Sequence, residues 1–262
     1  MSPDDLHKLL GRVPVFVLVL CRVGGVMIFA PLFGSARIPK RVRGLMAVVM
    51  AMGMTGGLAR PPILPATTIE TTVAMAGELA FGIAVGTVLS FVFIAAQWAG
   101  QLIGQQIGFN LAETFDPQFG ASSTVIGDLY FMLTLIVFLS VGGHRQVVAG
   151  LRDSFDTMPL LSVGVDRPLF DAVVQGLSTA TVLAARLAAP VLLTMLVVDL
   201  ALGFLGKTIP QLNVMAAGMS IKALVGIAVL ALGLALYATP AVLRNALDDS
   251  IDAARLMWAG RG

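Results

Sequence analysis

Four charged side chains stand inside apolar runs or near their ends, and any chemistry would begin with them: Arg22, Glu78, Arg186 and Asp199. A charge at bilayer depth costs at least about 2.5–3.5 kcal/mol on insertion scales, so each must pair, snorkel or sit in a wet interior. Two uses are open: structural pairs and helix-end snorkels, or an ion or proton path. No series of acidic residues is spaced along one helix to make such a path. Arg186 and Asp199 would be about 20 Å apart on a continuous helix, too far to pair with each other. Glu78 is the best acid for Arg22, since both lie within the apolar runs of the first half. Arg22 is expected away from lipid, against an acid or several carbonyl oxygens, because an isolated buried guanidinium is too costly.

Other reactive constellations are missing. His7 and His144 are far apart and Cys21 is the single cysteine, so neither a metal cluster nor a disulfide framework has support. There is no His-Glu-x-x-His helix, no Gly-x-Ser-x-Gly elbow and no phosphate loop. The chain is expected not to be an enzyme and to carry no cofactor. Asp248, Asp249 and Asp252 read as a solvated helix face, and the thirteen methionines as core filler.

Composition places the chain in a bilayer or in a very apolar assembly. It is 57% hydrophobic and 12% charged, with mean hydropathy +0.91, whereas soluble domains carry about 25% charged residues. A net charge of +2 is too small to imply nucleic acid. The start, MSPDDLHKLLGR, lacks the basic lead and cleavage site of a secretory signal and is expected to be retained.

The elements that must position these charges are helices. Val13–Phe33 is long enough to span as a helix. Arg37, Lys40, Arg41 and Arg43 follow, the densest basic cluster, which the positive-inside rule sets in the cytoplasm. Leu45–Leu58 is short for a span, and the prolines at 61, 62 and 65 stop it. Val73–Trp98 is predicted to continue as a helix towards Gly108, too long for one perpendicular span. Val125–Val141 follows, then a short amphipathic helix with Val147, Val148, Leu151 and Phe155 on one face. Phe170–Leu202 is apolar again, its apolar run interrupted by Arg186, Pro190 and Asp199. After the loop 203–213 comes Val214–Thr239, with Lys222 near its start. Ala241–Trp258 reads as an amphipathic tail that docks on protein. Charge asymmetry beyond the first basic loop is weak, so some runs are expected not to cross. The fold class is therefore an all-α membrane-associated protein.

The stretch Gly100–Thr124, GQLIGQQIGFNLAETFDPQFGASST, is the most distinctive. Gly100, Gly104 and Gly108 recur four apart, as Gly82 and Gly86 do earlier, and such faces let another backbone approach closely. A loop with Phe109, Phe115 and Phe119 among Glu113, Asp116 and Pro117 follows. It is either a working element or an ordinary wet loop.

Five blocks in order resemble the FliR/SctT family of type III secretion export-gate proteins, along almost the whole chain. They are Arg22 with Ala30-Pro31-Leu32-Phe33-Gly34 and the basic 38–43; Gly77-Glu78 with Gly82 and Gly86; Gly104–Gly108 leading to Asp116-Pro117; Gly143-His144 with Ser154-Phe155 and Pro159; and 209–214 with Lys222. The Gly-His and Asp-Pro blocks lean to the flagellar branch over the virulence injectisome. The resemblance implies bent helical hairpins, a FliP-like part at 1–168 followed by a FliQ-like part at 169–262, within one export-gate domain. It implies FliP-type, FliQ-type and FlhB-type partners in the bacterial inner membrane at the flagellar basal body, and unfolded flagellar proteins as cargo. It further implies that Phe109–Ser122 is a plug loop, with Phe109, Asn110, Phe115, Asp116, Pro117, Phe119 and Gly120 as its site residues. A small-solute transporter is the alternative of another class; it would need polar groups converging at mid-depth on broken helices.

Overall fold

The computed structural model describes residues 3–30, 39–57, 67–108, 125–162, 167–209, 214–237, 245 and 248–254. Among them every regular element is helical. Backbone groups in lipid must be satisfied within their own segment, and helices do this without partners.

Helix α1 is Pro3–Phe29. It begins ten residues before the apolar run, because proline is well tolerated in a first helical turn. Its buried positions include Val15, Leu18, Val19, Arg22, Val23, Val26 and Met27. That is one helical stripe, and it carries Arg22 inward with the aliphatic side chains. Helix α2, Lys40–Gly56, packs on α1 and buries only Ala47 and Ala51. Its first turn holds Lys40, Arg41 and Arg43, where the helix dipole disfavours cations. Their position is therefore not explained by helix stability. Helix α3, Thr68–Ile107, runs unbroken for 40 residues, about twice the length that crosses a bilayer. It ends where Gly108 adopts φ +94°, a left-handed conformation that glycine takes without steric cost.

Helices α4, Val125–Ser140, and α5, Gly143–Thr157, are separated by a break at Val141 and Gly142, with Gly142 at φ +78°. The buried face of α5 is Gly150, Leu151, Ser154 and Phe155. Val148, assigned to that face from its spacing, is exposed. The apolar stripe is set instead by the (i, i+4) pairs 150/154 and 151/155.

Helix α6, Arg167–Thr208, is continuous through Arg186, Pro190 and Asp199, so what interrupts the apolar run does not interrupt the helix. Proline removes one ladder hydrogen bond and usually kinks a helix. The bond lost here is the one to the Arg186 carbonyl; one turn on, Thr194 Oγ1 back-bonds to the Pro190 carbonyl at 2.8 Å, as threonine commonly does within helices. Helix α7 is Val214–Tyr237, and residues 248–254 are again helical except for the undescribed gap before them. Of the tail 241–258, only 245 and 248–254 are described.

Two helices among the described residues, α3 and α6, are long and apolar enough to cross a membrane, and α4 with α5 passes the same test as a pair. In α3, 67% of the most apolar window is buried, against 17% in α6. Leu193, Leu196, Leu200 and Phe204 of α6 are all exposed. Such a face is compatible with lipid or a protein neighbour and poorly compatible with water.

The chain separates into two compact units, each assembled from separated stretches. The first comprises Met1–Phe91, Gly142–Leu177 and Asp248–Gly262. Its core includes Leu18, Val23, Phe81, Phe155 and Met158. The second comprises Val92–Val141 and Ser178–Leu247. In it Phe93 packs on Phe131 and Phe138, with ring centroids 5.8 and 5.4 Å apart.

Candidate functional site

The first unit is organised around Arg22. Its side chain and that of Glu78 are both 0% exposed. Arg22 Nε donates to Glu78 Oε2 at 2.5 Å. Nη1 donates to the carbonyls of Ser154 at 3.0 Å and Met158 at 3.1 Å, and to Ser154 Oγ at 3.3 Å. Nη2 donates to the same Met158 carbonyl at 3.2 Å. The guanidinium also lies over the rings of Phe81 and Phe155, 5.0 and 4.5 Å from their centroids. The positive plane meets two electron-rich faces while its edge is spent on oxygen acceptors.

Each partner is placed by an identifiable local rule. Glu78, Gly82 and Gly86 fall four apart, on one face of α3. A Cβ at Gly82 would collide with the Arg22 carbonyl and stand 3.1 Å from Gly25 Cα. A Cβ at Gly86 would stand 2.7 Å from the Val26 carbonyl, and one at Gly25 only 2.6 Å from the Leu79 carbonyl. The acid therefore sits one turn from a crossing that glycine alone permits, which brings α1 close enough for Arg22 to reach it. The carbonyl partners come from the end of α5. The last carbonyls of a helix lack intrahelical donors and carry the negative end of its dipole, so a cation is favoured there. Beyond α5, Leu161 adopts φ +76°, uncommon for a residue with a Cβ. Its N–H donates to Glu78 Oε1 at 3.1 Å, so both carboxylate oxygens are engaged.

This arrangement holds three segments in register. All three guanidinium nitrogens of Arg22 and both oxygens of Glu78 are engaged within the protein. A cleft of about 340 Å³ opens nearby, lined by Met50, Gly53, Met54, Val148, Arg152 and Phe155 among others.

The second unit has its own close crossing and its own polar cluster. A Cβ at Gly100 would stand 2.6 Å from Gly127 Cα and 2.7 Å from the Ile126 carbonyl, so this approach is made by the chain's own α4. The Gly104 carbonyl accepts from the Gly108 N–H at 3.1 Å; Gly108 terminates the helix. Asp199 Oδ1 pairs with Lys222 Nζ, and Asp199 Oδ2 accepts from Gln106 Nε2 at 3.1 Å. Sequence reading singled out Asp199 and Lys222 separately and missed Gln106. Three polar residues on three different apolar helices were the available signal. Arg186 lies exposed on α6. Phe109, Asn110, Phe115, Asp116, Pro117, Phe119 and Gly120 lie outside the described residues.

The described residues are all helical, with bilayer-length apolar helices, a fully buried ion pair and glycine crossings, which defines a class of helical membrane protein built for packing. The profile described as Bacterial export proteins, family 1, matches residues 13–247, and the chain belongs to that family. It is 29% identical over 260 residues to the flagellar biosynthetic protein FliR of Bacillus subtilis (strain 168), covering 97% of this chain and 98% of the relative. It is 32% identical over 124 residues to the Escherichia coli (strain K12) protein of the same name, 47% and 48% of the two chains. The surface presentation of antigens protein SpaR of Shigella sonnei is 28% identical over 123 residues, 46% of each chain.

Proposed function

We propose that this chain is a subunit of the flagellar type III protein export gate. In this reading it joins FliP-type and FliQ-type subunits and an FlhB-type protein, in the inner membrane at the flagellar basal body, to form the channel for unfolded flagellar proteins. The observation that carries the reading is end-to-end similarity to a flagellar biosynthetic protein, over 97% of the chain, within a family of export proteins. The relation to SpaR covers 46% of each chain, which favours the flagellar branch over an injectisome.

Physical features support a part in a larger assembly. The outer face of α6 exposes aliphatic and aromatic side chains along its length, surface suited to lipid and to neighbouring subunits. A small-solute carrier would use broken helices and unspent polar groups at mid-depth. Here α6 is unbroken and Arg22 and Glu78 are satisfied by the protein itself. The stretch 109–122 is the plug in this reading, because apolar bulk such as Phe109, Phe115 and Phe119 closes a conduit by dewetting it. Helices in 1–168 then take the FliP-like place and 169–262 the FliQ-like one.

Affinity isolation of the chain from detergent-solubilised membranes tests the assignment. FliP- and FliQ-type subunits are expected to co-elute, and a deletion strain is expected to stop secreting flagellar proteins until the chain is restored. A chain that elutes alone and takes up a solute in liposomes would overturn it, as would a deletion strain that secretes normally.

A further inference from the structure

Within the second unit, the last turn of α3 meets α6 and α7 through two adjacent contacts. Gln106 donates to Asp199 Oδ2 at 3.1 Å, while Asp199 Oδ1 holds Lys222. Next to Gln106, Ile107 fills the space left by a glycine of α7: a Cβ at Gly226 would stand 2.6 Å from Ile107 Cγ1 and 2.8 Å from Cδ1. One residue later the helix ends at Gly108. We propose that Gln106, Asp199 and Lys222 form a charge-held latch, positioning residues that fix where the chain leaves α3. Lys222 orients Asp199, and Asp199 holds Gln106.

The chemistry is specific to this trio. A carboxylate accepts on both oxygens and so bridges two donors on two helices. Lysine neutralises it on flanks that are otherwise apolar, where a lone carboxylate would be costly. Side-chain exposures of 28% for Lys222 and 34% for Asp199 leave the pair partly shielded, so its attraction is less screened than at a wet surface. The glutamine is the versatile member. Its amide donates to a carboxylate through nitrogen and accepts from an ammonium through oxygen, so exchanging the two charges leaves it a partner either way. Ile107 in its glycine socket limits sliding along α7, and the latch limits rotation.

Hydrogen exchange of the amides at 102–107, measured on the complex isolated from membranes, tests the latch. Lys222→Met and Gln106→Leu are each expected to speed exchange about tenfold, the loss of one charge-assisted hydrogen bond's holding of that turn. Asp199→Lys with Lys222→Asp is expected to return exchange to within about threefold of wild type, and adding Gln106→Leu to that pair to abolish the rescue. A turn that merely needed apolar filling would not respond to charge order. Unchanged exchange in both Lys222→Met and Gln106→Leu overturns the proposal, as does an exchanged pair that behaves no better than Lys222→Met alone. Gln106→Leu keeps the ion pair, so it reports even where the charge variants do not assemble. The consequence for export rests on the gate reading: the latch variants are expected to secrete less. Faster exchange with normal secretion would count against that reading and leave the latch standing; slow exchange with lost secretion would do the reverse.

Discussion

Removing the acid from the Arg22 cage should cost far more than removing both charges together. In Glu78→Leu the guanidinium stays fully buried without its counter-ion, a loss of about 3–5 kcal/mol. The Leu161 N–H loses its acceptor, adding about 1–3 kcal/mol. The double variant Arg22→Met/Glu78→Leu removes the unpaired charge and replaces the pair with apolar volume, a change that is often near neutral in itself. It still leaves two backbone groups without their present partners, the Met158 carbonyl and the Leu161 N–H. The Ser154 carbonyl is spared, because it also accepts from the Met158 N–H at 3.0 Å. The double variant should therefore lie about 2–6 kcal/mol below wild type, and above Glu78→Leu. The assay is the denaturant midpoint of the purified chain, followed by helical signal and by protease protection. A double variant less stable than Glu78→Leu would refute the reasoning, since Arg22 would then be stabilising without its acid. Equality of all three proteins would show that the cage carries no load.

At position 161, glycine should be more stable than alanine by about 1–2 kcal/mol, because both lack the leucine side chain and only alanine is strained at φ +76°; a midpoint for Leu161→Ala at or above that of Leu161→Gly would contradict this. Gly82→Ala should destabilise by at least about 1–3 kcal/mol through collision with backbone. Gly24→Ala, where a Cβ meets nothing within 4 Å, should gain about 0.5–1 kcal/mol of helix propensity; equal effects at the two glycines would refute the crossing geometry. Deleting 109–122 from an assembled complex should let membranes leak small ions, measured as dye release or conductance, and a mutant as tight as wild type would defeat the plug reading.

Much of the fold was legible because charge and period are local properties. Arg22 in an apolar run had to turn away from lipid, because an isolated buried guanidinium is too costly, and Glu78 was the acid available in the same half. Gly82 and Gly86 announced a close approach. What approached them was not legible, because any backbone satisfies a glycine face. Ser154, Met158 and Leu161 were missed as partners of the pair for a related reason. They contribute carbonyls, a hydroxyl and an N–H, and backbone groups look alike at every residue. Pro190 interrupts the apolar run without ending the helix, because the one hydrogen bond it removes is a local cost within 42 residues of continuous helix. Val148 was misassigned since a mildly apolar residue beside a buried face scores the same as one on it. Gln106 was passed over because glutamine on an apolar helix has no preferred partner until the third dimension supplies one.

The span of the Arg22 contacts sets a timetable for biosynthesis. Glu78 follows Arg22 by 56 residues and Met158 by 136. At about 5–20 residues per second, the guanidinium leaves the ribosome about 3–11 s before its acid and about 7–27 s before its last carbonyl. During that interval α1 is a helix with an unneutralised charge inside its apolar run, which a bilayer accepts poorly. Entering a bilayer alone would cost α1 about 2.5–3.5 kcal/mol on insertion scales until α3 brings the carboxylate, and the first unit can close only when α5 has emerged.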